Sequence, residues 1–135
     1  MNVREAFAAI ALAAVACDGR LDRDEAHALR RQLENRSIYS GLSEAEMGDL
    51  FDTLLTLLRS GGVHGLITEA IPVLSPGQQE SALAVAAHLV HADRMVTPEE
   101  TSLLQTLATD MVVPTADAEM VIRSIAALNR TELDI

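Results

Sequence analysis

The sequence predicts an all-α fold: one compact domain of about seven helices, containing an internal helix–loop–helix pseudo-repeat. Three observations carry this. Alanine and leucine dominate a chain that is 49% hydrophobic and only 2% aromatic, a composition that favours helices over sheets. Apolar residues keep helical spacing, as in Met47, Leu50, Phe51, Leu54, Leu55 and Leu58, and no segment alternates with period two for long enough to form a strand. Helix-start signals recur along the chain at Asp22, Ser43, Ser75 and Thr97. A length of 135 residues suits a single domain over 1–135. At that size roughly 65–70% of the unfolded surface is buried, so the core needs no staples.

The first helix runs from about Asn2 to Cys17, and Gly19 is suited to the left-handed stop. Asp22 caps a second helix, with Glu25 at N3 completing a capping box, and this helix ends near Asn35 or Arg36. Ile38–Leu42 is a connector. Ser43-Glu-Ala-Glu46 is another capping box and opens the third helix, which Gly61-Gly62 breaks. A short fourth helix covers Val63 to Ile71, ahead of Pro72. Ser75-Pro76, a cap followed by proline at N1, opens a fifth helix that runs to Ala92. Thr97-Pro98-Glu99-Glu100 repeats that signal and opens a sixth, to Asp110. Pro114-Thr115 starts a seventh, to Asn129, and Arg130–Ile135 is a frayed tail.

The stretch Ala14–Glu25, AVACDGRLDRDE, admits more than one reading. The apolar run Ala6–Ala16 has the length of a secretion-signal core, and Cys17 follows small residues as a lipid-modified cysteine would. Against this, Glu5 cancels Arg4, and Ala14 stands where a large aliphatic residue is expected. A related segment also lies in the second half of the chain. Ala9, Ala11, Val15, Asp18, Glu25 and Leu29 match Ala84, Ala86, Val90, Asp93, Glu100 and Leu104, all at an offset of 75, while Ile10 faces Val85 and Leu21 faces Val96. The simpler account is two copies of one unit: an alanine-rich helix, an Asp, a short loop with an aliphatic residue, a cap and a Glu three later.

The net charge is −10, from 20 acids against 10 bases. A field of that sign repels nucleic acid and anionic lipid, and suits cations, basic partners or solubility alone. With one cysteine, Cys17, no disulfide forms within the chain, which favours a cytoplasmic location. No apolar run reaches the 18 or so residues that span a bilayer.

Capping accounts for many of the carboxylates. Asp22 and Thr97 accept from orphan amides, Glu25 and Glu100 reach back, and Asp24 and Glu99 complement a helix dipole, each worth roughly 0.5–1 kcal/mol. Asp18 and Asp93 fit this account less well. They sit at helix C-termini, where negative charge is unfavourable, and require a compensating partner: amides of the next helix, Arg20 or Arg94, or a cation. A hard cation wants several converging oxygens. Asp18, Asp22 and Glu25 form one candidate set, and Asp93, Glu99 and Glu100 a second, weakened by Arg94 and by Thr97 in place of a carboxylate. Neither is an EF-hand loop.

The stretches AAVACDGRLDRDE (Ala13–Glu25) and HLVHADRMVTPEE (His88–Glu100) resemble the paired motifs of the tellurite-resistance TerB-like family. The resemblance covers most of the chain in helix count and repeat spacing, and only these stretches carry specific residues. It implies a small all-helical domain, metal-binding acidic surfaces, and a place in bacterial stress or tellurite-resistance systems. Asp18 and Glu25 match the first motif, Asp93 and Glu100 the second, and Arg94 stands where the family favours glycine.

Other chemistry is sparse. His88 and His91 share a helix face and are a minor zinc candidate. Cys17 lacks a CxxC partner and reads as a packed thiol, and Gly61–Gly65 lacks the lysine of a phosphate loop and reads as a hinge. The expectation is a non-enzymatic acidic binding module with no organic cofactor. It would take a divalent cation, calcium before others, or a basic partner protein. The alternative is a protein–protein interaction domain whose carboxylates are caps only, with grooves that dock a partner helix.

Overall fold

The computed structural model describes residues 1–19, 21, 23–92 and 95–131, apart from the side chains of Arg23 and Asp24. Among these residues there are six α-helices and no strand. They are α1 (Val3–Ala16), α2 (Arg23–Glu34), α3 (Glu44–Ala70), α4 (Pro76–His91), α5 (Pro98–Asp110) and α6 (Thr115–Leu128), with 3-10 turns at Ser37–Tyr39 and Ile71–Val73.

The first helix is the hub. Every residue from Ala6 to Ala14 is buried, at 3% exposure or less. A helix that is apolar all round has no solvent face and must be enclosed by others. Alanine lets those neighbours approach closely at no cost in side-chain entropy. The helices α3 and α4 form the main walls around α1, and α2 and α5 also touch it; α6 packs on the far side of α4. Phe7, Ile10 and Leu12 are the bulky members that α1 adds to a core cluster shared with Leu54, Leu66, Leu83 and Leu107. Full burial of one such side chain contributes roughly 1.5–3 kcal/mol.

Helix starts follow the capping signals. Asn2 and Glu5, Ser43 and Glu46, Ser75 and Gln78, and Thr97 and Glu100 each form a reciprocal box. The Glu46 carboxyl is held below the ordinary glutamate range, first because it accepts the Ser43 amide. Asp22, expected to cap α2, lies outside the described residues.

The expected break at Gly61-Gly62 is present. The third and fourth helices meet across a kink at Gly62 with no loop between them, so both are contained in α3 and six elements stand where about seven were expected. Gly62, at φ 70° and ψ −175°, is a single non-helical residue within it. Helical geometry resumes at once, so the break takes the form of a kink between two helical segments. A positive φ is open to glycine and strained for most other residues.

Tyr39 closes one end of the core. Its hydroxyl donates to the Arg4 carbonyl at 2.7 Å, and the Arg4 Nε donates back to the Ile38 carbonyl. Arg36 lies over the Phe7 ring, 4.9 Å from its centroid. Burial pushes the Tyr39 hydroxyl well up, so it stays a donor.

Gln79 fastens the turns around the start of α4. It is 3% exposed, and its amide nitrogen donates to the Ile71 and Leu74 carbonyls at 3.1 and 3.0 Å. Its oxygen accepts from the Val112 amide at 2.9 Å. One side chain thus ties the turn before α4 to the turn after α5. Removing it takes one partner from three backbone groups. The Ile71 carbonyl keeps the Leu74 amide at 3.1 Å, while the Leu74 carbonyl and the Val112 amide lose this bond, and each buried orphan costs about 1–3 kcal/mol. Gln79→Ala should therefore lower unfolding stability by about 2–4 kcal/mol in denaturant titration. The next residue, Glu80, is exposed, so Glu80→Ala should stay within about 0.5 kcal/mol.

Candidate functional site

The C-terminal end of α1 and the N-terminal end of α5 meet. Helix α1 stops at Cys17, and Gly19, at φ 81°, turns the chain away, its amide donating to the Ala16 carbonyl at 3.1 Å. Helix α5 starts at the Thr97 cap. The Glu100 amide donates to Thr97 Oγ1 at 3.2 Å, and the Thr97 amide donates to Glu100 Oε1 at 2.9 Å.

Cys17 reports the juxtaposition. Its half-buried thiol donates to the Ala14 carbonyl at 3.4 Å. Burial is the largest cause pushing its pKa from 9.0 to about 11, followed by the charges of Glu100 and Asp18, with Glu99 adding to them. Charges act on a thiol this way only at short range. Asp18, from the first stretch, and Glu99 and Glu100, from the second, therefore all bear on this end of the fold, where Cys17, Pro98 and Glu99 line one cavity. This cavity of about 380 Å³ is lined by Cys17, Val63, His64, Ile67, Glu99 and Leu103 among others.

Glu100 is already engaged in its cap, while Glu99 is exposed. Glu25 lies in the first turn of α2, half-buried. Asp22 and Asp93 lie outside the described residues. Among the described residues, no three His, Cys, Asp or Glu side chains are grouped to hold a metal ion.

His64 gave no signal in the sequence, yet it lines the same cavity as Cys17 and Glu99. It stands just beyond the Gly62 kink, and only the direction of the chain after that kink brings it there. Linear spacing carries no trace of such a placement.

The pairing of His88 with His91 as zinc ligands does not suit the geometry. His88 Nδ1 lies 3.3 Å from Asn129 Nδ2, and His88 Nε2 lies 3.3 Å from Gln32 Nε2. Asn129 Nδ2 also donates to the Ile125 carbonyl at 2.9 Å, which fixes it as the nitrogen. His88 Nδ1 then accepts, and its Nε2 carries the proton, so the Gln32 amide must present its oxygen there. Both ring nitrogens are thereby spent on joining α2, α4 and α6.

No helix among the described residues is long and apolar enough to cross a membrane, and the run Ala6–Ala16 is the central helix of the fold. In comparisons with known proteins, no family model, no curated protein and no solved structure matches the chain.

The shift from 9.0 to about 11 reduces the thiolate fraction at pH 8 about a hundredfold. Native Cys17 should react with iodoacetamide at least that much more slowly than in the denatured chain. Glu100→Gln keeps the cap and removes the charge, so it should lower the Cys17 pKa and speed the reaction severalfold. Glu80→Gln, on exposed α4 surface, should not. An unchanged rate in Glu100→Gln would refute the juxtaposition.

Proposed function

We propose that the protein is a non-enzymatic binding module of the kind the TerB-like resemblance implies. It acts through the acidic pole where the two motif stretches meet. The ligand is a divalent cation, calcium before others, held by loop carboxylates and backbone carbonyls, and the setting is a bacterial stress or tellurite-resistance system. The observation that supports this reading is the meeting of the two stretches, Cys17 at the end of α1 lining one cavity with Pro98 and Glu99 at the start of α5. Two loops that each offer too few oxygens for a hard cation can supply more when they share an end of the fold. The helix boundaries lend further support. The last residues of α1 and α4, Ala16 and His91, are 75 positions apart, as are the first residues of α2 and α5, Arg23 and Pro98.

A second reading rests on a specific contact. The Thr97–Glu100 box is complete without a ligand, which favours carboxylates that serve capping alone and a protein whose partners are other proteins.

Calorimetric titration of the metal-stripped chain with calcium, magnesium, manganese and zinc separates the two. The proposal expects saturable calcium binding, weakened about tenfold or more by Asp18→Asn and by Glu99→Gln, with fold stability nearly unchanged. Asp93→Asn shows whether the second stretch contributes. Absence of binding at millimolar metal, with the variants altered only in stability, would leave capping as the whole role of these carboxylates.

A further inference from the structure

The cavity of about 380 Å³ beside Cys17 has two unlike walls. One is the segment of α3 that follows the Gly62 kink, with Val63, His64 and Ile67. The other is the first turns of α5, where Glu99, Ser102, Leu103 and Thr106 recur at helical spacing. Cys17, at the end of α1, joins them. Ile67 and Leu103 belong to the buried core, so each wall is anchored in it. The volume lies at the small end of the range of about 300–1,000 Å³ that small-molecule sites occupy. Val63, Ile67 and Leu103 offer a short hydrocarbon body a dry surface. The α5 side adds hydrogen-bond acceptors, the Glu99 carboxylate and the Ser102 and Thr106 hydroxyls.

The potential in this cleft is negative. After burial, the causes that push the Cys17 thiol up are the charges of Glu100, Asp18 and Glu99. The macrodipole of α1 ends here with its negative pole, and Glu99 and Glu100 offset the positive pole of α5. Glu100 is spent in the Thr97 box, which leaves Glu99 as the carboxylate of the lining. His64 is the one basic side chain in that lining. An anionic ligand is opposed by this field, and a divalent cation has no use for apolar walls. We propose that the cleft binds a primary alkylammonium ion, its ammonium on Glu99 and the neighbouring hydroxyls and its short aliphatic body against Val63, Ile67 and Leu103. The site does not rest on calcium binding by the loop carboxylates, and either can fail alone.

The probe is hexylammonium, titrated at neutral pH into the full, metal-stripped chain and followed by NMR. Expected are saturable binding with a midpoint of about 1 mM or tighter and amide shifts centred on Val63, His64, Ser102 and Leu103. Glu99→Gln should weaken binding about fivefold or more, Glu80→Gln should not change it, and His64→Gln should not weaken it. Ser102 is exposed, so Ser102→Phe fills the cleft without entering the core and should weaken binding about tenfold or more. Thr106→Leu fills it from the next turn, so a folding failure in one variant leaves the test standing. Hexanoate, which reverses the charge, should bind at least about tenfold more weakly, and hexanol, which removes it, about threefold or more. The proposal is overturned if hexylammonium does not saturate, if its shifts map elsewhere, or if folded cleft-filled variants bind it equally well. It is equally overturned if hexanoate or hexanol binds as tightly, or if His64→Gln abolishes binding. Calcium that binds while hexylammonium does not would overturn this inference alone.

Discussion

Enclosure of α1 on every side is the constraint on which the rest depends. An apolar helix buried all round needs several neighbours, and close approach by several neighbours needs small side chains on the helix itself. The alanines from Ala6 to Ala14 meet both conditions. Leucine at these positions would force the walls apart, as overpacking does in any dense core. With α1 fixed, its C-terminal end is fixed too. Cys17 and Asp18 then lie where the start of α5 must pass, and the acidic pole follows from the packing of the core.

Two polar devices hold the outer turns to that hub. Gln79 satisfies three backbone groups from two turns, and Tyr39 with Arg4 ties the connector after α2 to the first turn of α1. Each is a buried or half-buried polar group with its partners present, so its value lies in specifying which turn sits where. Neither resembles a catalytic arrangement, since every strong hydrogen bond in them ends on backbone.

Helix positions were legible in the sequence because they rest on local rules. Ser43–Glu46 and Thr97–Glu100 form the expected boxes, Gly19 takes the left-handed turn, and Pro76, Pro98 and Pro114 mark helix starts. The break at Gly62 was legible too, because a glycine pair permits the positive φ it takes; that the two segments meet with no loop was not. The candidate site was legible in part. Asp18, Glu99 and Glu100 could be named from the two stretches, but their shared location depends on how α1 and α5 cross, and no local rule encodes that. His64 and the cavity it lines were illegible for the same reason. The partners of His88 were illegible too, because spacing on one helix says nothing of Asn129 and Gln32 arriving from two others.

Native-state hydrogen exchange tests the hub most directly. If α1 is enclosed as described, the amides of Ala8 to Ala14 exchange only through global unfolding and are among the slowest in the protein, while the more exposed α2 opens at lower free energy. Amides of α1 that exchange in step with those of α2 would show a helix that opens without the rest. That result would contradict both the core and the position it gives to the acidic pole.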